Sequence, residues 1–188
     1  NVNIKISYYF ILMLAFFVLI DTTDAVLLAL IAIVLHELGH IMFMRMLKVK
    51  IKYIKFSVYG ISIEREAQLN ISYLKEMLIY SAGIIFNIIA AIISYLINYS
   101  GLNYFIAANL ALAFFNVLPI GKLDGGQLLY FLACIKFNSN TVDKIYKAVS
   151  FVFLIPLFAL SIFAVLNDIK YFSLLICLIY LSIFVFTL

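Results

Sequence analysis

The chain has 188 residues, of which 67% are hydrophobic and only 12% are charged. Soluble domains contain about half apolar and about a quarter charged residues, so this chain lacks a polar surface with which to face water. The composition excludes an ordinary soluble enzyme, a disordered chain and a secreted disulfide scaffold, and it predicts an integral membrane protein. The net charge of +4 does not indicate nucleic acid binding, because the basic residues lie in short connections between apolar runs.

Six apolar runs predict six transmembrane helices, since a helix needs about 20 apolar residues to cross a bilayer. Their expected bounds are about 6–20, 25–47, 77–97, 102–135, 146–166 and 171–188, and the fourth is expected to be broken near 119–122. The predicted fold is therefore all-α and polytopic, with residues 1–188 forming a single transmembrane domain. The chain begins with Asn1 instead of methionine, so we expect that a short N-terminal piece is missing.

The basic residues are concentrated in alternate connections. Seven of them lie between Arg45 and Lys75, and three more follow the fourth run, whereas connections 21–24 and 98–101 contain no lysine or arginine. Cytoplasmic loops of membrane proteins carry an excess of lysine and arginine. We therefore expect a multi-pass protein of the cell membrane, with both termini and the active-site side in the cytoplasm.

The long connection between the second and third runs has the pattern of a β hairpin. From Val49 to Val58 apolar and polar residues largely alternate, as they do in strands, and the alternation resumes over 61–64. Tyr59 and Gly60 provide a turn between the two stretches. We predict a small hairpin on the cytoplasmic surface; the alternative is a basic interfacial segment that lies on anionic lipid.

The second run contains the pattern His-Glu-x-x-His at residues 36–40. Residues i and i+4 project from one helical face, so the imidazoles of His36 and His40 can bind one Zn²⁺. Glu37 can then act as general base toward a water molecule. Two histidines and a glutamate would fall in this arrangement by chance about twice in ten thousand chains of this composition.

Two imidazoles leave a catalytic zinc site one protein ligand short. Apart from Glu37, Asp124 is the only acid expected deep within an apolar run, which makes it the natural third ligand. The helical rise places His40 about 10 Å and Asp124 about 16 Å from the cytoplasmic ends of their runs, which are similar depths. The sequence therefore predicts one zinc ion per chain.

The pattern at 36–40, followed by Asn-Val-Leu-Pro-Ile-Gly-Lys-Leu-Asp-Gly-Gly at 116–126, resembles the two signature motifs of site-2 proteases. These are intramembrane zinc metalloproteases that cut substrates in or near a membrane-spanning segment. The resemblance implies that His36, His40 and Asp124 ligate zinc and that Glu37 activates the water. It also implies that Asn116 and Pro119 shape the broken fourth helix and contact the substrate.

A third element, Ser-Ala-Gly-Ile-Ile-Phe-Asn at 81–87, resembles the family's Ala-Gly-Pro stretch with a following asparagine. It assigns Asn87 to substrate binding. Ile84 stands where the family usually has proline, and Lys122 occupies a position where proline is frequent. The first difference weakens the match of this element, and the second affects the loop before Asp124 but leaves the ligand in place.

The compact chain, without an intervening PDZ domain, is similar to the sporulation branch of the family. That similarity implies a sigma-factor precursor as the membrane-associated substrate, and inhibitor or regulator proteins of the membrane as further partners. The family resemblance also implies that an edge strand of the hairpin holds the locally unwound substrate. The sequence ends within the sixth run, so we expect the nucleotide-sensing regulation common in that branch to be absent or supplied elsewhere.

The rival hypothesis is a metal-binding membrane transporter or scaffold, or a catalytically inactive family member. Transporters usually show repeated halves with matching broken helices, and no such repeat is visible in the sequence. A structural zinc site prefers four protein ligands, and the sequence offers three candidates. Neither transport nor a structural zinc requires Glu37.

Overall fold

The computed structural model describes residues 3–21, 23–57, 60–66 and 71–167, together with residues 178, 179 and 182. The chain divides into two compact units, residues 1–113 and 114–188. The elements in chain order are β1 (Asn3–Ile6), α1 (Tyr8–Ile20), α2 (Ala25–Met46), β2 (Ile51–Ser57), β3 (Gly60–Arg65), α3 (Tyr73–Ile97), a 3₁₀ helix (Ser100–Leu102), α4 (Asn103–Val117), α5 (Asp124–Cys134) and α6 (Ser139–Asn167).

Four helical segments of the described residues are long and apolar enough to cross a membrane: Ala25–Met46, Tyr73–Ile97, Ser100–Val117 and Ser139–Asn167. Helix α1 is apolar, but its 13 residues span about 20 Å, which is shorter than a hydrocarbon core of about 30 Å. The predicted sixth span, 171–188, falls almost wholly outside the described residues. The several apolar helices indicate a multi-pass membrane protein, as the composition predicts.

The fourth apolar run forms two helices, since α4 ends at Val117 and α5 begins at Asp124. Residues 118–123 between them include the predicted breakpoint. Helix α6 begins at Ser139, well before the start predicted near residue 146. Hydropathy marks only the part of a helix that lies in lipid, so the polar first turns of α6 gave no signal.

The sheet has three strands in the order β1-β2-β3. Strands β2 and β3 are antiparallel, with Ile54 opposite Ile63, and they form the predicted hairpin; Tyr59 of the predicted turn lies outside the described residues. Strand β1 pairs with β2 in parallel and was not predicted. Because β2 is paired on both sides, β3 is the hairpin strand that retains an outer edge within the described sheet.

Helices α2 and α3 pack closely in the first unit. A Cβ atom added to Gly39 would lie 2.9 Å from the carbonyl oxygen of Ala82, so the glycine allows the two backbones to approach. Met44 of α2 and Ile79 of α3 also form a buried apolar cluster with Val49. The close pairing fixes the face of α2 that carries the histidines against α3.

An ion pair ties the sheet to α3. The Nη1 atom of Arg65, at the end of β3, lies 2.6 Å from Oε2 of Glu76 in the first turn of α3. Glu76 is thereby buried, whereas Glu37 is only half-buried. The burial of Glu76, at the start of the third run, was not predicted, because the base that compensates its carboxylate is distant in sequence.

Candidate metal centre

The two histidines of the chain lie one turn apart on α2, and both are buried. Their Nε2 atoms are 3.2 Å apart, and their ring planes are nearly perpendicular, at 82°. The spacing of four residues places both rings on one helical face. The pair predicted from the sequence thus presents two ring nitrogens to a single point.

Both Nδ1 atoms face acceptors on α3. His40 Nδ1 lies 2.8 Å from the backbone carbonyl oxygen of Ile79, which can only accept a hydrogen bond. His36 Nδ1 lies 2.6 Å from Oδ1 of Asn87. The amide of Asn87 is oriented this way because its Nδ2 donates to the backbone carbonyl of Ala32 at 3.1 Å. Each Nδ1 therefore carries the hydrogen.

A neutral imidazole that donates through Nδ1 has its lone pair on Nε2. In that form the Nε2 atoms of His36 and His40, which are 3.2 Å apart, would direct both lone pairs to one point. Tetrahedral zinc with Zn–N bonds of about 2.0–2.1 Å requires ligand atoms about 3.3 Å apart. The separation and the second hydrogen bonds fit a pair of zinc ligands, whose other ring nitrogen is typically held by a carbonyl or carboxylate.

Gly83 of α3 faces this pair. An added Cβ atom would lie 2.5 Å from Nε2 of His40 and 2.8 Å from Nε2 of His36, closer than carbon and nitrogen can approach. No residue other than glycine can occupy this position without displacing a ring. The sequence contained Gly83 within the third family-like element but gave no sign that it contacts the histidines.

Glu37 follows His36 on α2 and is half-buried. Successive residues of a helix are about 100° apart, so Glu37 lies between the histidine face and the exposed Leu38. Glu37 thus lies next to the histidine pair, where the motif predicts a general base.

Asp124 is the first residue of α5 in the second unit, and it is buried. A carboxylate in the first turn of a helix is stabilised by the unpaired amide groups and the positive end of the helix dipole. Gly125 and Gly126 follow because there is no room for side chains: their Cβ atoms would lie within 2.5 Å of the carbonyl oxygens of Val117 and Gly121. The glycines let α5 begin against the broken segment.

Helix α6 satisfies the backbone of this broken segment. The hydroxyl of Tyr146 donates to the carbonyl oxygen of Gly121, and Gly121 donates its amide to Oγ of Ser150 at 3.1 Å. Gln127 of α5 also donates to the Tyr146 hydroxyl, at 3.1 Å. Irregular backbone at membrane depth needs such partners, so Tyr146 and Ser150 hold the segment that leads to Asp124. Their spacing of four residues on an apolar helix was a usable signal that sequence reasoning missed.

The remaining predicted residues lie in different places. Asn87 is fully buried on α3 beside His36. Asn116 lies half-buried at the end of α4, and Pro119 lies in the broken segment, where its carbonyl oxygen accepts from Ser150 at 3.4 Å. The first unit thus gathers His36, Glu37, His40 and Asn87, and the second gathers Asn116, Pro119 and Asp124.

Residues 98–157 match the model of the family described as Peptidase family M50. This stretch contains α4, α5 and most of α6, but not the two histidines. No curated protein is similar enough to match the chain. The part of the predicted family resemblance that rests on the motif at 116–126 is confirmed by this match.

Among solved structures, the fold is similar to "Site-2 Protease from Methanocaldococcus jannaschii". The sequence identity is 20% and the TM-score is 0.66, with 98% of this chain and 89% of that chain covered. At this identity the likeness concerns the fold, and it extends over nearly the whole chain.

Proposed function

We propose that this chain, which resembles the site-2 proteases of peptidase family M50 in sequence and in fold, is an intramembrane zinc metalloprotease. The observation that carries the proposal is the buried histidine pair, whose Nε2 atoms lie 3.2 Å apart while both Nδ1 atoms face acceptors on α3. This arrangement suits a divalent cation of tetrahedral preference, and zinc is the ion that the family uses.

We assign His36, His40 and Asp124 as the three protein ligands of one zinc ion per chain. Three ligands leave the open position that a catalytic zinc requires, whereas a structural zinc is enclosed by four. The carboxylate of Asp124 partly offsets the +2 charge, which lowers the cost of placing the ion in a low-dielectric interior. When bound, zinc would act as a Lewis acid and lower the pKa of a water molecule.

We assign Glu37 as the general base. Its carboxylate takes a proton from the attacking water and delivers it to the nitrogen of the leaving amine as the peptide bond breaks. The half-buried position of Glu37 beside the histidine face suits this transfer, since the carboxylate must reach both the water and the substrate. A transporter or scaffold needs no such base, and the family match does not favour that alternative.

The substrate must lose its helical hydrogen bonds locally before a peptide bond can be attacked. The broken backbone at 118–123 suits this step. Irregular backbone in a membrane is tolerated where it is buried in protein or lines a cavity, and a cavity would hold the unwound segment. Asn116, in the last turn of α4, and Pro119, in the broken segment, are proposed to contact the unwound substrate. We propose that the site lies on the cytoplasmic side of the membrane, which the lysine and arginine content of the alternate connections supports.

The compact layout supports a proposal for the substrate class. Only the sheet strands and their short connections lie between α2 and α3 among the described residues, so no PDZ-like module filters substrates there. This layout is similar to that of the sporulation branch, and we propose a membrane-associated sigma-factor precursor as substrate.

Cleavage by the purified protein tests the function. The protein in detergent, incubated with a sigma-factor precursor and with single-span peptides, is expected to yield one new N-terminus detectable by mass spectrometry. Removing zinc with a chelator should slow cleavage at least about 100-fold, and added zinc should restore it. Cleavage that persists at full rate in the chelator would reject the metalloprotease assignment, and cleavage of the peptides but not the precursor would reject the sporulation substrate.

A further inference from the structure

Two asparagines from different helices meet behind His36. Asn87 of α3 and Asn109 of α4 are both fully buried, and Nδ2 of Asn87 donates to Oδ1 of Asn109 at 2.8 Å. Buried amides are costly unless their hydrogen bonds are satisfied, so a pair of them in an apolar interior requires a reason. The neighbouring imidazole of His36 is the group that this pair orients.

The orientation of each amide is determined by carbonyl groups that can only accept. Nδ2 of Asn109 donates to the backbone carbonyl of Phe105 at 2.8 Å, which turns Oδ1 of Asn109 toward Asn87. The two hydrogens of Asn87 Nδ2 then go to Asn109 Oδ1 and to the carbonyl of Ala32. Oδ1 of Asn87 is left to face Nδ1 of His36, at 2.6 Å. A flipped Asn87 would place oxygen against oxygen at two buried contacts.

The Nδ1 atoms of the two histidines therefore donate to different kinds of acceptor. His40 Nδ1 donates directly to the backbone carbonyl of Ile79, which no side-chain substitution on α3 removes. His36 Nδ1 donates to a side chain whose direction is set jointly by the carbonyl of Ala32 and by Asn109, one helix further away. The tautomer of His36, and with it the direction of its lone pair, is thus set by a chain of side-chain amides.

We propose that Asn109 and Asn87 are positioning residues that fix His36 in the form protonated on Nδ1, with Nε2 directed to the metal. The zinc in this statement rests on the proposed function, whereas the tautomer can be measured without metal. Asn109 touches neither the histidines nor any substrate group assigned above, so it acts through Asn87.

Ring-nitrogen NMR tests the proposal directly, because the chain has only two histidines. The full-length protein, purified in detergent with an affinity tag that lacks histidine and labelled with ¹⁵N-histidine, gives only four ring-nitrogen signals. The variants are Asn87→Leu, Asn109→Leu and, as a matched control on the same helix, Asn103→Leu at an exposed position. His40 serves as a control within each molecule.

In the metal-free wild type, His36 is expected to show a protonated Nδ1 and an unprotonated Nε2. Asn87→Leu should remove this preference, Asn109→Leu should shift His36 to a mixture of tautomers, and the His40 signals should stay unchanged in both. Zinc affinity, measured by competition with a chelator, should fall about 10- to 100-fold in Asn87→Leu and about tenfold in Asn109→Leu. Asn103→Leu should match the wild type in both measurements.

Unchanged His36 signals in Asn109→Leu would overturn the proposal, even if Asn87→Leu alters them. Equal changes of His36 and His40 would also overturn it, because they would show a general loss of packing. A wild type that shows the expected tautomers and the expected response to Asn109→Leu, yet binds no zinc, would support the positioning role and contradict the proposed function.

Discussion

The Gly83→Ala protein is expected to lose most of its zinc while remaining folded. The new methyl carbon would lie 2.5 Å and 2.8 Å from the two Nε2 atoms of His40 and His36, so at least one imidazole must turn away. The backbone of α3 cannot retreat to relieve the contact, since Ile79 and Ala82 nearby are fully buried. Loss of one imidazole ligand should lower zinc affinity by more than about 100-fold. The measurement is zinc per chain by elemental analysis, with circular dichroism to verify the helical fold.

Gly39→Ala is the matched control for this substitution. Its methyl carbon would lie 2.9 Å from the carbonyl oxygen of Ala82 and 3.0 Å from Cγ of Phe86. It therefore crowds the same two helices, but the atoms nearest to it are not the ring nitrogens. We expect it to cost about 1–3 kcal/mol of stability and to retain zinc. If both variants lost zinc equally, crowding between the helices would be the cause, and the specific role of Gly83 would be disproved.

The Glu37→Gln protein is expected to retain its zinc and to lose almost all activity. Glutamine has nearly the size of glutamate but cannot accept the proton of the attacking water. General base catalysis contributes about 10²- to 10⁴-fold, so the cleavage rate should fall by about 10³-fold or more when no other base can replace it. The rate is measured under single-turnover conditions, so that slow product release does not hide the effect.

Asp143→Asn, at an exposed position near the start of α6, also replaces a carboxylate by its amide but lies outside the assigned residues, and it should cleave at the wild-type rate. A Glu37→Gln protein that cleaves within a factor of about ten of the wild type would require another general base.

The local parts of the fold were predictable from the sequence. Apolar runs indicated α2, α3 and the main part of α6, and alternation indicated β2 and β3. Strand β1 was missed because its four residues gain a partner only from β2, about fifty positions later. Parallel pairing of distant segments leaves no periodic signal in so short a stretch.

The same distinction applies to the site. The spacing of His36 and His40 is a property of one helix, so their shared face followed from the sequence. Their hydrogen-bond acceptors come from α3, and the requirement for Gly83 follows from the packing of α3 against α2. The burial of Glu76 was likewise hidden, since the compensating Arg65 is contributed by the sheet. These features depend on tertiary contacts that neither periodicity nor composition encodes.

Zinc content of the detergent-purified protein, measured alongside Asp124→Ala and Glu37→Gln, tests the assigned metal centre most directly. We expect one zinc per chain in the wild type and in Glu37→Gln, and clearly less zinc in Asp124→Ala. That result would establish three ligands and a separate base. Undiminished zinc in Asp124→Ala would reject Asp124 as the third ligand, which would then have to be another residue.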